Sequence, residues 1–470
     1  MNYLVCPLLV ASSAVLAVAP ACAATRPRYG GALRVEIHAK VFSLDQEEKQ
    51  SIAEADAANK IRDLIYDRLV RLDRNGQAQP ALALSWEHDS QSVRWRFKLR
   101  PGVKWQDGAP LTPEEVAASL QRQGQAGSVR ASGDVLEINL AHAWPDLPAA
   151  LATDASASIR RSGDQSATAL PVGTGPFRLS DWQPGHSAEL QANDDYWGGR
   201  PFIDKIEIQM GRASREQVLD LELDRTDLAE LDPIDAHRYQ QEGKRVWASA
   251  AVELLLLHFD LNQSVVQDLR LRQAVARSID RAAIQHVLTQ NYGEVAGGFI
   301  PQWLSGYSFL FPSAPDLKLA RDLTASIGTL PVLKMGYDPS DALARQTAER
   351  IAVNTRDAGM NIQVSPLPAG WKGGADSGPE MRMERVRIDG PTFENAVLQA
   401  ESRLGLGFAG KTVPPEIVYV AEQKLLDNLE DVPVVYVPDL LGVGPHVKDW
   451  SALPWGDWRL QDAWMDAEKP

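Results

Sequence analysis

The segment Gly405-Leu406-Gly407-Phe408-Ala409-Gly410-Lys411-Thr412 fits the spacing GxxxxGK[ST] and also contains GxGxxG. Such a loop cradles phosphate when a buried strand leads into it and a helix runs on from the Lys-Thr pair, so that backbone N–H groups and the helix dipole face the anion. Neither condition is met. Residues 393–404 have helical spacing, and Val413-Pro414-Pro415 follows, where consecutive prolines remove donors and clash with the preceding turn. The segment reads as a loop. The eight histidines (38, 88, 142, 186, 237, 258, 286 and 446) are scattered, with no HxxxH or HExxH pair, so no metal site is signalled. There is no GxSxG elbow, and both cysteines, Cys6 and Cys22, lie in the leader described below, which leaves no thiol nucleophile. Carboxylates are plentiful, but sequence alone places no two of them facing one another at a glycosidase separation. Neither a catalytic centre nor a cofactor nor a metal is expected. The thirteen tryptophans are assigned mainly to packing, with a few available to line a carbohydrate or peptide cleft.

The elements that would position a binding site alternate between two periods. Residues 32–37 alternate as a strand, and 54–70 place Ala57, Ile61, Leu64, Ile65 and Leu69 at helical spacing. A period-two strand follows at Arg94–Leu99. Thr112-Pro113-Glu114-Glu115 opens a helix, with Thr as N-cap, Pro at the first helical position and Glu at the third. Further strands are expected at 206–210 and 361–364, and helices over 269–288 and 341–358. Strands and helices alternate without an internal repeat, so the class is α/β.

At 470 residues the chain is too long for one ordinary core, and two or three domains are expected. Composition is globular, 44% hydrophobic and 23% charged, and 62 acids against 48 bases give a formal charge of -14. That balance argues against a nucleic-acid partner. Residues 3–23 are apolar and uncharged and end in Ala21-Cys22-Ala23, which reads as a secretory signal peptide, residues 1–23, cut after Ala23 or nearby. An N-terminal membrane anchor and lipid attachment at Cys22 are the alternatives. The protein is expected in the periplasm.

Several ordered blocks resemble a known family, the extracellular solute-binding proteins of dipeptide, oligopeptide and nickel ABC importers (family 5). They are Pro80–Trp86 leading into Trp95–Thr112, then Gly173-Thr174-Gly175-Pro176-Phe177 with Trp182 and Pro184-Gly185, Asn193–Trp197, and Asp268–Val275 with Ile279-Asp280-Arg281. The resemblance spans about 30 to 310. It implies a two-lobed periplasmic-binding-protein fold (type II, cluster C) with an extra inserted subdomain in the first lobe. Lobe 1 would comprise 27–48, 170–258 and 445–470, the inserted subdomain 49–169, and a shortened lobe 2 residues 259–444.

The resemblance also implies a function without covalent chemistry. The lobes close over a peptide or other small solute and deliver it to an ABC permease in the inner membrane, the binding protein acting as a monomer. Family peptide binders keep an Asp for the solute's amine ahead of a Pro and an aromatic residue, and Asp389-Gly390-Pro391-Thr392-Phe393 is the nearest match. Arg382, Arg385 and Arg387 are the carboxylate candidates, alternation placing Arg385 and Arg387 on one strand face. Trp371 would wall a side-chain pocket, and Phe42 and Ser43 sit where the first strand meets the cleft. The hinge is expected at the crossing strand near Phe259 and Asn262. Nickel chelates, sugars and antibiotic peptides remain open as ligands. A repurposed exported sensor, or an exported hydrolase with paired carboxylates, are the alternatives in other classes.

Overall fold

The computed structural model describes residues 26–45, 50–122, 127–154, 157–161, 170–306, 310–368, 378–408 and 413–466. The leader with Cys6 and Cys22, and Trp371, lie outside them. Among the described residues no helix is long and apolar enough to cross a membrane.

One eleven-stranded mixed sheet runs through the molecule. Its centre is a pair of long antiparallel strands, Arg245–Phe259 and Asp431–Val443. On one side, Leu228–Glu230 pairs the end of the second long strand, followed by Ala32–Glu36, Lys205–Gln209, Ser187–Ala192 and Phe177–Gln183. On the other, Met381–Arg387 pairs Glu253–Phe259, followed by Leu333–Tyr337 and Ile362–Pro366. Leu254 to Leu257 are fully buried, as a strand covered on both faces requires, and Glu253 is the charge in that run.

Among the described residues four hydrophobic cores lie along this frame, the smallest around Leu221, Leu231 and Tyr239. The first lobe packs Leu33, Val35 and Ile37 against Ile61, Leu64, Phe177, Leu190, Ile206 and Leu441. The second packs Leu254–Leu257 with Val275, Ile351, Met381 and Val435. A separate four-stranded sheet, Ala83–His88, Arg94–Leu99, Val135–Asn139 and Ser128–Ser132, carries the inserted subdomain's core of Trp95, Phe97, Trp105 and Leu136. The helix Ile52–Ile65 belongs to the first-lobe core through Ala57, Ala58 and Ile61, so the inserted core begins only at Leu69, not at residue 49.

The passage between lobes also differs from expectation. Besides one at Leu255/Leu256 inside the second lobe, register shifts in the long-strand pairing fall at Ala248/Ala251 and Ala251/Glu253, between first-lobe and second-lobe partners. Bulges bend and twist a strand, so the chain turns from one body to the other there. Phe259 is buried in the second-lobe core and Asn262 sits in the turn beyond it, bonded to Asp260; neither lies at the passage. The expected helix over 269–288 breaks too. It stops at Ser278, and Asp280 caps a new short turn by accepting from the Ala283 N–H at 3.0 Å.

The sequence blocks meet for physical reasons. Gly173 and Gly175 lie so close to the Ile65 carbonyl that a Cβ at either would overlap it. Gln106 Nε2 donates to the carbonyls of Ile65, Gly175 and Phe177, while its Oε1 accepts from Gly173 N–H at 3.0 Å. Half-buried Asp67 accepts from Trp197 Nε1 (2.7 Å), Thr174 Oγ1 (3.0 Å) and Tyr196 Oη (3.1 Å). Burial pushes its carboxyl up to about 6 against those donors.

Candidate functional site

The helix Ile52–Ile65 starts on Ser51, whose Oγ accepts from Glu54 N–H at 3.2 Å. Its apolar stripe feeds the first-lobe core, and the remaining stripe of Asp56, Asn59, Lys60 and Asp63 repeats at three and four residues, so these side chains share one face. That face forms the floor of a cavity of about 400 Å³. The opposite wall is the second-lobe helix Phe393–Leu404, through Asn395, Leu398, Gln399, Ser402 and Arg403, together with Arg387 and Asp389 at the end of the preceding strand. The inserted subdomain contributes Trp144, Thr153 and Asp154, and the C-terminal return Gly456 and Asp457. The two lobes and the inserted subdomain therefore meet at one cavity rich in charged side chains.

Arg387 is the hub. Its side chain is only 9% exposed, and its guanidinium contacts Asp389 at 2.7 Å, Asp439 at 2.9 Å, Asp56 at 3.0 Å and Glu253 at 3.4 Å and donates to the Trp455 carbonyl at 3.1 Å. Burial alone would favour loss of its proton, but Asp439, Asp56 and Asp389 hold it charged, well above the ordinary range. Lys60 sits beside it, 2.8 Å from Asp56 and 3.7 Å from Asp439. Burial would raise Asp439, yet the Arg387 and Lys60 charges keep it below the usual carboxylate range. This network ties the second lobe to the first. A further tie joins the second lobe to the inserted subdomain, where Thr392 Oγ1 donates to Asp146 Oδ2 at 2.7 Å.

On the other side of the cavity Arg68 donates to Asp63 at 2.6 Å and to the Ala152 carbonyl at 3.0 Å. Asp457 accepts from the Trp455 indole at 3.2 Å and has no cation within ion-pair distance among the described residues. Burial pushes its carboxyl up to about 7; Asp63 adds to the effect and Arg68 opposes it.

Asp389 does line the cavity, but both carboxylate oxygens are engaged, one by Arg387 Nε and the other by Gln399 Nε2 at 2.7 Å. Arg385 shares Glu253 with Arg387, as expected of neighbours on one strand face, yet it is spent on Glu253 (2.5 Å) and Asp341 (2.9 Å) and does not line the cavity. Arg382 pairs with Glu384 further along the strand and is likewise outside the lining. Phe42 is 59% exposed and lies against Gly185, and Ser43 Oγ accepts from Asp45 N–H at 3.0 Å; neither reaches the cavity. Asp56, Lys60, Asp63, Arg68, Arg403, Asp439 and Asp457 were missed. The only sequence trace of the first three is the polar stripe on the helix Ile52–Ile65, a pattern that ordinarily faces water.

The Gly405–Thr412 segment follows a helix, not a strand, with Gly405 as its left-handed C-cap at φ 67°; residues 409–412 lie outside the described residues. Among the described residues no group of three His, Cys, Asp or Glu side chains is placed to hold a metal ion.

Comparison with known proteins places this geometry in context. The model of "Bacterial extracellular solute-binding proteins, family 5 Middle" matches residues 77–392. The nickel-binding protein NikA of Staphylococcus aureus is 25% identical over 49% of this chain and 49% of its own length. The nickel-binding periplasmic protein of Escherichia coli is 24% identical over 64% of this chain and 65% of its own. The glutathione-binding protein GsiB of E. coli is 22% identical over 76% and 74%. The alignments with the first two thus span about half to just under two thirds of those relatives' length. Among solved structures, NikA from S. aureus with Ni(L-His)2 superposes with a TM-score of 0.76 at 19% identity, covering 93% of this chain and 100% of that one. A binding protein from A. tumefaciens with mannopinic acid superposes with a TM-score of 0.80 at 20% identity, covering 93% and 99%. These structural likenesses establish a shared two-domain α/β periplasmic-binding-protein fold.

Proposed function

Since the chain belongs to the bacterial extracellular solute-binding proteins of family 5, we propose that it is the solute-binding component of an ABC importer. It closes its two lobes on a small peptide-like zwitterion and passes it unchanged to a permease in the inner membrane. The observation that carries this reading is the interlobe cavity of about 400 Å³, walled by acids and bases from both lobes, the inserted subdomain and the C-terminal return. That volume suits a ligand of two or three residues. Similarity to the oligopeptide-binding protein AppA of Bacillus subtilis and the dipeptide-binding protein of Escherichia coli supports the ligand class. Export to the periplasm through residues 1–23 belongs to the same proposal, with lipid attachment at Cys22 as its alternative.

The test is a thermal-shift screen with dipeptides, tripeptides, a nickel–histidine complex and mannopinic acid. A ligand at 100 times its Kd adds about 2.7 kcal/mol to stability. Short peptides are expected to raise Tm, and NMR is expected to return them intact. A shift with mannopinic acid or the nickel complex and none with peptides overturns the peptide assignment; conversion of the ligand overturns the transport role.

A further inference from the structure

We infer that the solute's ammonium group is taken by Asp457 of the C-terminal return and its carboxylate by Arg403 of the second lobe, so that the two ends of one zwitterion bond to opposite lobes. This rests on the peptide-like reading above and assigns its two charged subsites.

The assignment follows from the partners of every charge lining the cavity. Asp56 is held by Arg387 and Lys60, Asp63 by Arg68, and Asp389 by Arg387 and Gln399. Asp154 is engaged within the protein as well. Arg387 and Lys60 are engaged by the same pairs, and Arg68, whose Nε is left without a partner among the described residues, spends its charge on Asp63 and its other terminal nitrogen on the Ala152 carbonyl. A ligand charge meeting any of these must first break a buried ion pair, which leaves the displaced partner uncompensated. Two lining charges are different. Asp457 has only the neutral Trp455 indole as donor, and Arg403 has no carboxylate within ion-pair distance among the described residues. One accepts a cation and the other an anion, and they stand on different walls: Asp457 follows Gly456 at the first-lobe side, and Arg403 lies in the last turn of Phe393–Leu404.

The position of Asp457 is built rather than incidental. Gly456 has φ 102°, and a Cβ there would strike Asp439 and the Arg387 guanidinium. The backbone therefore runs tight against the hub and delivers the next side chain into the cavity. Asp389, the acid that lies ahead of a Pro and an aromatic residue, instead serves Arg387.

The experiment titrates the protein with alanyl-phenylalanine, its N-acetyl derivative and its C-terminal amide by calorimetry. It uses the wild type, Asp457→Asn, Arg403→Gln and Asp389→Asn. The wild type is expected to prefer the free dipeptide over both blocked forms by about 10- to 100-fold, the range for a charge-assisted hydrogen bond. Asp457→Asn is expected to erase the preference over the N-acetyl form while leaving that form's affinity unchanged. Arg403→Gln is expected to erase the preference over the amide in the same way. An unchanged preference in Asp457→Asn, or its loss in Asp389→Asn instead, overturns the assignment and leaves the peptide reading standing. No binding of the free dipeptide to the wild type overturns that reading and this one together.

Discussion

A buried cation among several carboxylates is worth most when it is removed. Arg387 separates Asp56, Asp439, Glu253 and Asp389, and without it these acids face one another in a desolvated interior. Arg387→Ala is expected to cost about 3–5 kcal/mol, read from urea unfolding, as for other broken buried pairs; a loss under 1 kcal/mol contradicts the hub. Asp457 gives a test with a definite sign. Its folded value of about 7 lies above the ordinary 3.8, so ionisation opposes folding. The stability it permits is full below the unfolded value and declines as pH rises from about 4 towards 7. Asp457→Asn is therefore expected to be more stable than wild type at pH 8, with the gap closing near pH 4; a constant gap contradicts a half-buried carboxylate that lacks a cation partner. Among sequence-derived candidates, Arg387 came from strand alternation and Asp389 from the resemblance to the family's Asp-Pro-aromatic pattern; both line the cavity, but they pair with each other. Asp457 was not, because nothing in residues 450–460 marks an acid that meets a helix nearly four hundred positions earlier.

At the scale of elements, local rules held where the element satisfies itself. The helix Pro113–Arg122 begins as its residues dictate: Glu115 N–H donates to Thr112 Oγ1 at 3.3 Å, and Thr112 N–H to Glu115 Oε2 at 2.9 Å. Periodicity failed at Ile279-Asp280, where apolar spacing continues but the capping Asp restarts the chain. It also misplaced the interlobe passage, since bulges depend on cross-strand register, which a single strand does not display. Phe42 and Ser43 follow the first strand as expected, but their segment runs to the turn at Gly185 and away from the cleft. Gly456 is the element-level test. Gly456→Ala combines a positive φ with contact against Arg387 and Asp439, so it is expected to lower Tm and weaken dipeptide binding together. A Gly→Ala change that leaves both untouched contradicts the tight approach of the C-terminal return to the hub.

At the scale of the molecule, two long strands are the covalent connection through which one sheet serves both lobes, and the ion pairs of Arg387 with the hydrogen bond from Thr392 to Asp146 hold the second lobe against the other bodies. The α/β class and the two-lobed frame were legible because ordered motif blocks travel with the fold; the cavity was not, because its walls come from four separate stretches. A micromolar solute supplies about 8 kcal/mol, and moving an open–closed balance from 1:99 to 99:1 takes about 5.5, so binding can drive closure. Both native cysteines precede residue 26, so a chain starting there accepts dyes only at introduced thiols. The most direct measurement is energy transfer between dyes at Asp181→Cys in the first lobe and Glu349→Cys in the second while alanyl-phenylalanine is added. Transfer is expected to rise and saturate at one dipeptide per protein, with the dipeptide recovered whole. A distance that does not respond to bound dipeptide, or a dipeptide that returns cleaved, contradicts a protein that works by closing on its solute.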